Sequence, residues 1–383
     1  MRILLVTPFY PPDIGGISDH VFNLAKLLRV RHEVKVVANS LHSTSCSYGG
    51  IIRIPSLTPP PIPYETLASF RIPMRVKPLN NIVKEFKPEL IHIHGHHYPI
   101  TWLSALIAKS RNIPTLLTVH GMYALTDKAT LLEEVFNYTL FKHVLYVVNA
   151  VIALTPTMAS YIRRYRSNLQ CYIVPNGVNL EIYRMNINNK PKYREKYGLD
   201  ENRIIVLYRG RFAYVKGFLE LIYAIKILNR SEKVREKVLF LLIGDGPLRN
   251  IAVRELNQYN NCMIMDWTPR EDIHELYIAS DIFILPSKWH EAFPLVILEA
   301  MAANLYIVAS KRGSLPNVLE GYVRKRYLET PSVGEIVKIL NDTIANWNVY
   351  KDGGIDNYVE RFNWSYIVAR IEKIYKEILK DYT

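Results

Sequence analysis

A chain of 383 residues with 49% hydrophobic and 22% charged side chains exceeds the size of one hydrophobic core and shows no compositional mark of disorder. Two domains of roughly 150–200 residues are therefore expected. Three cysteines, Cys46, Cys171 and Cys262, stand far apart without metal-ligand spacing and favour a reducing compartment over a disulfide scaffold. The net charge of +13 is uneven, with 18 Lys/Arg against 9 Asp/Glu in residues 1–180 and 30 against 26 in the remainder. An anionic partner of the first half and diffuse surface charge each account for that excess. No zinc-finger spacing, basic region with heptads or aromatic RNA-binding signature points to nucleic acid.

The apolar run Met1–Val6 is too short for a signal peptide, stops at Pro8 and is predicted to be a first strand. Ile3–Thr7, Glu33–Ala38, Leu90–His94, Thr115–His120, Val151–Thr155 and Tyr172–Val174 form a strand series separated by amphipathic helices such as Asp19–Leu28. Gly15-Gly16 falls between the first strand and its helix, where a tight connection needs small residues. The proline-rich segment Pro55–Pro63 predicts a loop. Tyr64–Lys87 mixes Arg71, Arg75, Lys77, Lys84 and Lys87 with apolar residues, a composition suited to an acceptor rim or a membrane surface.

His92, His94, His96 and His97 crowd one strand end and raise the question of zinc. Without a well-placed cysteine or carboxylate to complete a site, they are expected to form a polar wall instead, and no metal is assigned. The apolar region Leu140–Leu154 is interrupted by Lys142, His143 and Asn149, so no membrane-spanning helix is expected. A turn-rich boundary follows at Val174–Asn179. A second series then runs through Ile204–Tyr208, Leu239–Ile243, Met263–Met265, Ile282–Leu285 and Tyr306–Ala309, and an amphipathic helix over Trp364–Leu379 closes the chain. Alternation of this kind predicts α/β domains with parallel sheets.

The chemistry concentrates in the second series. After Ile282–Leu285, Glu291 lies in a strand-to-helix loop and Glu299 in the following helix, for which Pro294 suits the first position. Carboxylates accept hydrogen bonds from paired hydroxyls, and the helix start at Phe293-Pro294-Leu295 offers backbone N–H groups to an anion. Gly210–Gly217 brings Arg211 and Lys216 into another strand-to-helix connection, and Gly244-Asp-Gly246 forms a glycine turn without dinucleotide-fingerprint spacing.

Glu291-x7-Glu299 in this setting resembles the signature of the retaining family 4 glycosyltransferases, and the other motifs follow in that family's order from Ile3 to the terminal helix. The resemblance implies a GT-B fold, two doubly wound Rossmann-like domains facing across a cleft. It implies an acceptor-side domain over 1–178, a nucleotide-sugar domain over 179–356 and a helix over 357–383 crossing back to the first domain. By the same resemblance Glu291 contacts the donor sugar, Glu299 the ribose, and Arg211 and Lys216 the diphosphate. Gly15, Gly16, Gly244, Gly246, Phe293 and Leu295 line the donor, and His120 lies near the transferred sugar, although Gly121 stands where the family usually has aspartate.

The implied reaction is retaining transfer from a nucleotide-diphosphate sugar to a lipid-linked saccharide or other glycan, with no cofactor. The implied setting is cytoplasmic, with peripheral contact to an anionic membrane face. A related sugar phosphorylase, a nucleotide-sugar epimerase and a non-catalytic two-lobed binding protein are the alternatives.

Overall fold

The structure, a computed structural model, describes residues 1–40, 46–58, 71–121, 135–351, 353 and 357–382, without the side chains of 46–48. It divides into two compact units, residues 1–176 with 364–383, and residues 177–363.

In the first unit nine strands are described: β1 (Arg2–Thr7), β2 (Glu33–Ser40), β3 (Cys46–Tyr48), β4 (Ile51–Leu57), β5 (Ile72–Pro73), β6 (Leu90–His94), β7 (Thr115–Val119), β8 (Ala150–Ala153) and β9 (Gln170–Ile173). Their order is β3-β4-β2-β1-β6-β7-β8-β9, with β5 beside β4. Pairing is parallel except where β3 and β5 run against β4. Ile3, Leu4, Leu5 and Val6 are wholly buried, as a central parallel strand covered on both faces requires. From β1 the chain builds outward through β2 and β4, then returns to add β6 on the other side of β1. Ligands of such sheets bind at the carboxyl ends of the strands beside that reversal.

Two expectations for this unit are corrected. Pro55 lies in a strand, not a loop: it pairs with Ser40 at the last residue of β2, where a missing N–H interrupts little of the ladder. Its carbonyl accepts the Met74 N–H at 2.9 Å. The apolar residues of the helix Lys77–Phe86 also face inward, since Leu79, Ile82, Val83 and Phe86 are buried. Arg71 forks onto Asp13 at 2.7 and 2.9 Å and lies over the Phe9 ring. Among the described residues of that stretch, the exposed apolar side chains are Ile72, Met74 and Val76, interleaved with exposed Arg75 and Lys77. The rest of that loop and stretch, 59–70, lies outside the described residues.

The terminal helix, Trp364–Lys380, belongs to this first unit. Ile367, Ile371, Ile374, Tyr375 and Ile378 bury its apolar face. Glu372, nearly buried, receives Arg31 and His32 at 3.0 Å each, and the Tyr375 hydroxyl meets His92 Nδ1 at 2.7 Å.

The second unit carries β10 (Ile204–Arg209), β11 (Val238–Ile243), β12 (Cys262–Met265), β13 (Ile282–Leu285), β14 (Tyr306–Ser310) and β15 (Lys325–Leu328) in the order β12-β11-β10-β13-β14-β15, all parallel. This is the doubly wound order 3-2-1-4-5-6, whose reversal lies between β10 and β13. The helix after β13 spans Leu295–Ala302, so Pro294 is its cap, one residue earlier than expected, with extended backbone and its carbonyl accepting the Ile297 N–H at 3.1 Å. Asn304, at φ 57°, terminates that helix in the left-handed conformation.

Candidate active site

The carboxyl ends of β10 and β13 bring the four charged residues of the second unit's motifs to one sheet edge. Glycines set how close those loops come. Gly217, at φ 66°, lies so near the Pro286 carbonyl that an added Cβ would stand 1.9 Å from its oxygen. The Val215 carbonyl accepts the N–H groups of Lys288 and Trp289 at 2.9 and 3.0 Å. Gly244 meets the Gly210 carbonyl and Gly246 the Phe212 backbone in the same manner, at 2.0 and 2.7 Å from an added Cβ. The glycine turn expected to admit a nucleotide is thus first of all a requirement of loop against loop.

Both glutamates are held by one oxygen. Glu291, 7% exposed, uses Oε1 to accept Lys216 Nζ at 2.6 Å and Ser287 Oγ at 2.7 Å. Its backbone is fixed from the loop after β14, where the Ser314 N–H reaches the Glu291 carbonyl at 2.8 Å and Gly313 would clash with it if it carried a Cβ. Glu299 uses Oε2, which accepts Arg209 at 2.7 Å and the Tyr277 hydroxyl at 2.8 Å. Among the described residues no hydrogen bond engages Glu291 Oε2 or Glu299 Oε1. Each carboxylate is therefore oriented while keeping an acceptor oxygen for a ligand.

Arg209 is a site residue that the sequence reading missed. It ends β10 between the Trp267 and Tyr277 rings. Burial opposes its charge, yet the Glu299 carboxylate and Tyr277 outweigh that and push its pKa up. A lone arginine closing an otherwise apolar strand was the available signal.

Arg211 is exposed, its carbonyl accepting the Tyr208 hydroxyl at 2.9 Å. Phe293 is nearly buried, edge-on to Phe362 at 5.9 Å, so its side chain serves packing. Leu295 opens its helix, and among the described residues no side-chain cap bonds the N–H groups of that first turn.

In the first unit Gly15 and Gly16 stand at the start of the helix Gly16–Leu28, and Gly15 takes φ 149°. His120 follows β7 directly, and its Nε2 lies 3.1 Å from His94 Nδ1. His20, from the helix Gly16–Leu28, packs against both rings, 5.5 Å from His94 and 4.8 Å from His120. Desolvation by burial lowers the pKa of His20 to about 4 and of His96 to about 3. Burial followed by repulsion from neighbouring imidazoles lowers His92, His94, His97 and His120 as well. The cluster is a set of neutral rings at pH 7.

Of the four clustered histidines of the sequence, His92 and His94 stay in contact, with ring centroids 4.1 Å apart, but reach different partners. His92 is held between Tyr375 and Thr118 Oγ1, the latter at 2.7 Å, while His94 joins His120. His96 and His97 contact each other, with His96 against Phe141 and His97 against Phe136.

The profile of the glycosyl transferases group 1 matches residues 189–357, and that of glycosyltransferase family 4 matches residues 14–182. The phosphatidylinositol N-acetylglucosaminyltransferase gpi3 subunit of Schizosaccharomyces pombe is 24% identical over 98% of this chain and 81% of its own length. The UDP-Gal:alpha-D-GlcNAc-diphosphoundecaprenol alpha-1,3-galactosyltransferase of Escherichia coli is 26% identical over 77% of this chain and 76% of its own. The solved sucrose-phosphate synthase of Thermosynechococcus elongatus superposes with a TM-score of 0.78 at 21% identity, covering 99% of both chains. Two doubly wound units, a Glu291–Glu299 signature at the strand reversal and two family profiles that together span most of the sequence make this chain a family 4 glycosyltransferase of GT-B fold.

Proposed function

We propose that the enzyme moves a hexosyl group, with retention of configuration and without a metal, from a nucleoside-diphosphate sugar to a hydroxyl of a lipid-linked glycan. The pair of anchored carboxylates carries this reading: Glu291 and Glu299 each hold one oxygen against a cation and keep the other for a hydroxyl. Glu299 Oε1 takes the ribose hydroxyls and Glu291 Oε2 the donor sugar. Lys216 and Arg211 meet the diphosphate, where negative charge grows as the glycosidic bond breaks, so they stabilise the transition state more than the ground state. The first turn of the helix Leu295–Ala302 adds N–H groups to the same anion. His120, neutral through burial, accepts or donates a hydrogen bond to the sugar, and Gly15, Gly16, Gly244 and Gly246 line the donor. The acceptor hydroxyl attacks from the face that the diphosphate leaves, and the leaving phosphate takes its proton.

A thermal-shift panel of nucleoside diphosphates and sugar nucleotides tests the donor class, because a ligand that binds only the native state raises its melting temperature. UDP-sugars come first in that panel, given the donor in the name of the Escherichia coli relative. Transfer with the cognate donor should continue in excess EDTA, and product NMR should show the donor's own anomer. Loss of activity restored by magnesium or manganese, or an inverted product, would refute the mechanism.

Among the described residues no helix is long and apolar enough to cross a membrane. The proposal places the enzyme on the cytoplasmic membrane face through the exposed apolar–basic run Ile72, Met74, Arg75, Val76 and Lys77, in the unit that carries the positive excess. Co-sedimentation with anionic vesicles should exceed that with neutral ones, weaken as salt screens the charges, and fall in Met74→Glu/Val76→Glu. Equal binding to both vesicle types at low salt would remove the membrane assignment.

A further inference from the structure

The sequence offers four histidines on one strand end and no ligand to complete a metal site with them. The fold completes one from elsewhere. A ring nitrogen from each of His20, His94 and His120 falls within 4.8 Å of the others, and these three residues come from a helix, the end of β6 and the end of β7. We propose that His20, His94 and His120 form a binding site for a borderline first-row dication, with Zn2+ as reference, whose occupation switches transfer off.

Three observations support the site. First, tetrahedral Zn–N bonds of about 2.0–2.1 Å place ligand nitrogens roughly 3.3 Å apart, and His94 Nδ1 already lies 3.1 Å from His120 Nε2. A side-chain adjustment of His20 closes the remaining gap. Second, both ring nitrogens of His20 are buried with no hydrogen-bond partner, an arrangement that is costly unless a ligand uses one of them. Third, His20 and His94 are almost wholly buried whereas His120 is partly exposed, which gives an ion its way in and leaves a fourth coordination position open. Imidazoles kept neutral by burial, as those of His20 and His94 are, present lone pairs without having to lose a proton. All-nitrogen ligation selects Zn2+, Cu2+, Ni2+ or Co2+ over Mg2+ and Ca2+.

The inhibitory consequence rests on the role proposed above for His120. Transfer builds positive charge at the anomeric carbon, and a dication coordinated by a residue beside that sugar opposes it. Inhibition is therefore compatible with activity in EDTA.

The test uses untagged, chelator-treated protein and Zn2+ alone. Calorimetric titration should give one tight equivalent, lost in His20→Phe and in His94→Phe, both of which are first shown by circular dichroism and melting in EDTA to be folded. Because either variant could fail that control, Co2+ is added to the wild type, where a strong tetrahedral d–d spectrum displaced by Zn2+ identifies the site without mutation. Absence of a tight equivalent, its persistence in folded His20→Phe, or an octahedral Co2+ spectrum would overturn the site. Transfer should fall at least tenfold when the Zn2+ equivalent is bound and recover with EDTA, while His20→Phe remains active in added Zn2+. Tight binding without inhibition would leave the site standing and instead overturn the placement of His120 beside the sugar.

Discussion

Glu291→Gln should lower the transfer rate by about 10²–10³-fold and leave nucleoside-diphosphate affinity nearly unchanged. The substitution replaces the anion that Lys216 and Ser287 hold at 2.6 and 2.7 Å, and it removes negative charge from the oxygen proposed to face the sugar. Released from its partner, Lys216 stays available to the diphosphate, so product binding survives. Glu299→Gln should do the reverse, weakening calorimetric binding of the nucleoside diphosphate by about 1.5–3 kcal/mol, the worth of a hydrogen bond to a charged group. It should also lower the melting temperature of the second unit, because Arg209 loses the carboxylate that offsets its burial. If Glu291→Gln abolishes nucleotide binding while Glu299→Gln keeps both affinity and rate, the division of roles is wrong.

Acidification should unfold the first unit well before the carboxylates titrate. Each lowered histidine is neutral in the native state and protonates near its ordinary value of 6.5 when unfolded, so the unfolded chain binds more protons below that pH. Stability is consequently complete above about pH 6.5 and drains away as pH falls towards the native pKa. For His20, with a native pKa of about 4, the full loss is about 3 kcal/mol, of which about 2 kcal/mol has gone by pH 5. His92, His94, His96, His97 and His120 shift in the same direction and add to it. Hydrogen exchange followed by peptide should show β1, β6 and β7 losing protection between pH 7 and 5, with β10 and β11 far less affected. Unchanged protection of β6 and β7 across that range would contradict the neutral cluster.

Where burial on both faces leaves an unbroken apolar run, as in Ile282–Leu285 or Ile204–Tyr208, the strand was legible from composition alone. Strands that lack such a run were not: Ile51–Leu57 carries Arg53 and Pro55, and Lys325–Leu328 opens on two charged residues, because each is only partly buried. At the site, Glu291 and Glu299 were legible because their spacing is local. Arg209, Tyr277, Ser287 and His20 were not, since each acquires its meaning only when the topology lays a distant segment beside it.

The first unit is discontinuous in sequence, and that orders its synthesis. Residues 177–363 are complete before the ribosome has made Trp364–Lys380, the segment that brings Tyr375 to His92 and Glu372 to Arg31 and His32. Although translated first, the N-terminal unit waits for Trp364–Lys380 to finish its core, whereas the second unit draws on nothing beyond residue 363. A chain truncated after residue 363 would present a complete second unit tethered to a first unit whose helix-facing residues, His92, Arg31 and His32 among them, are still wet, a natural target for chaperones.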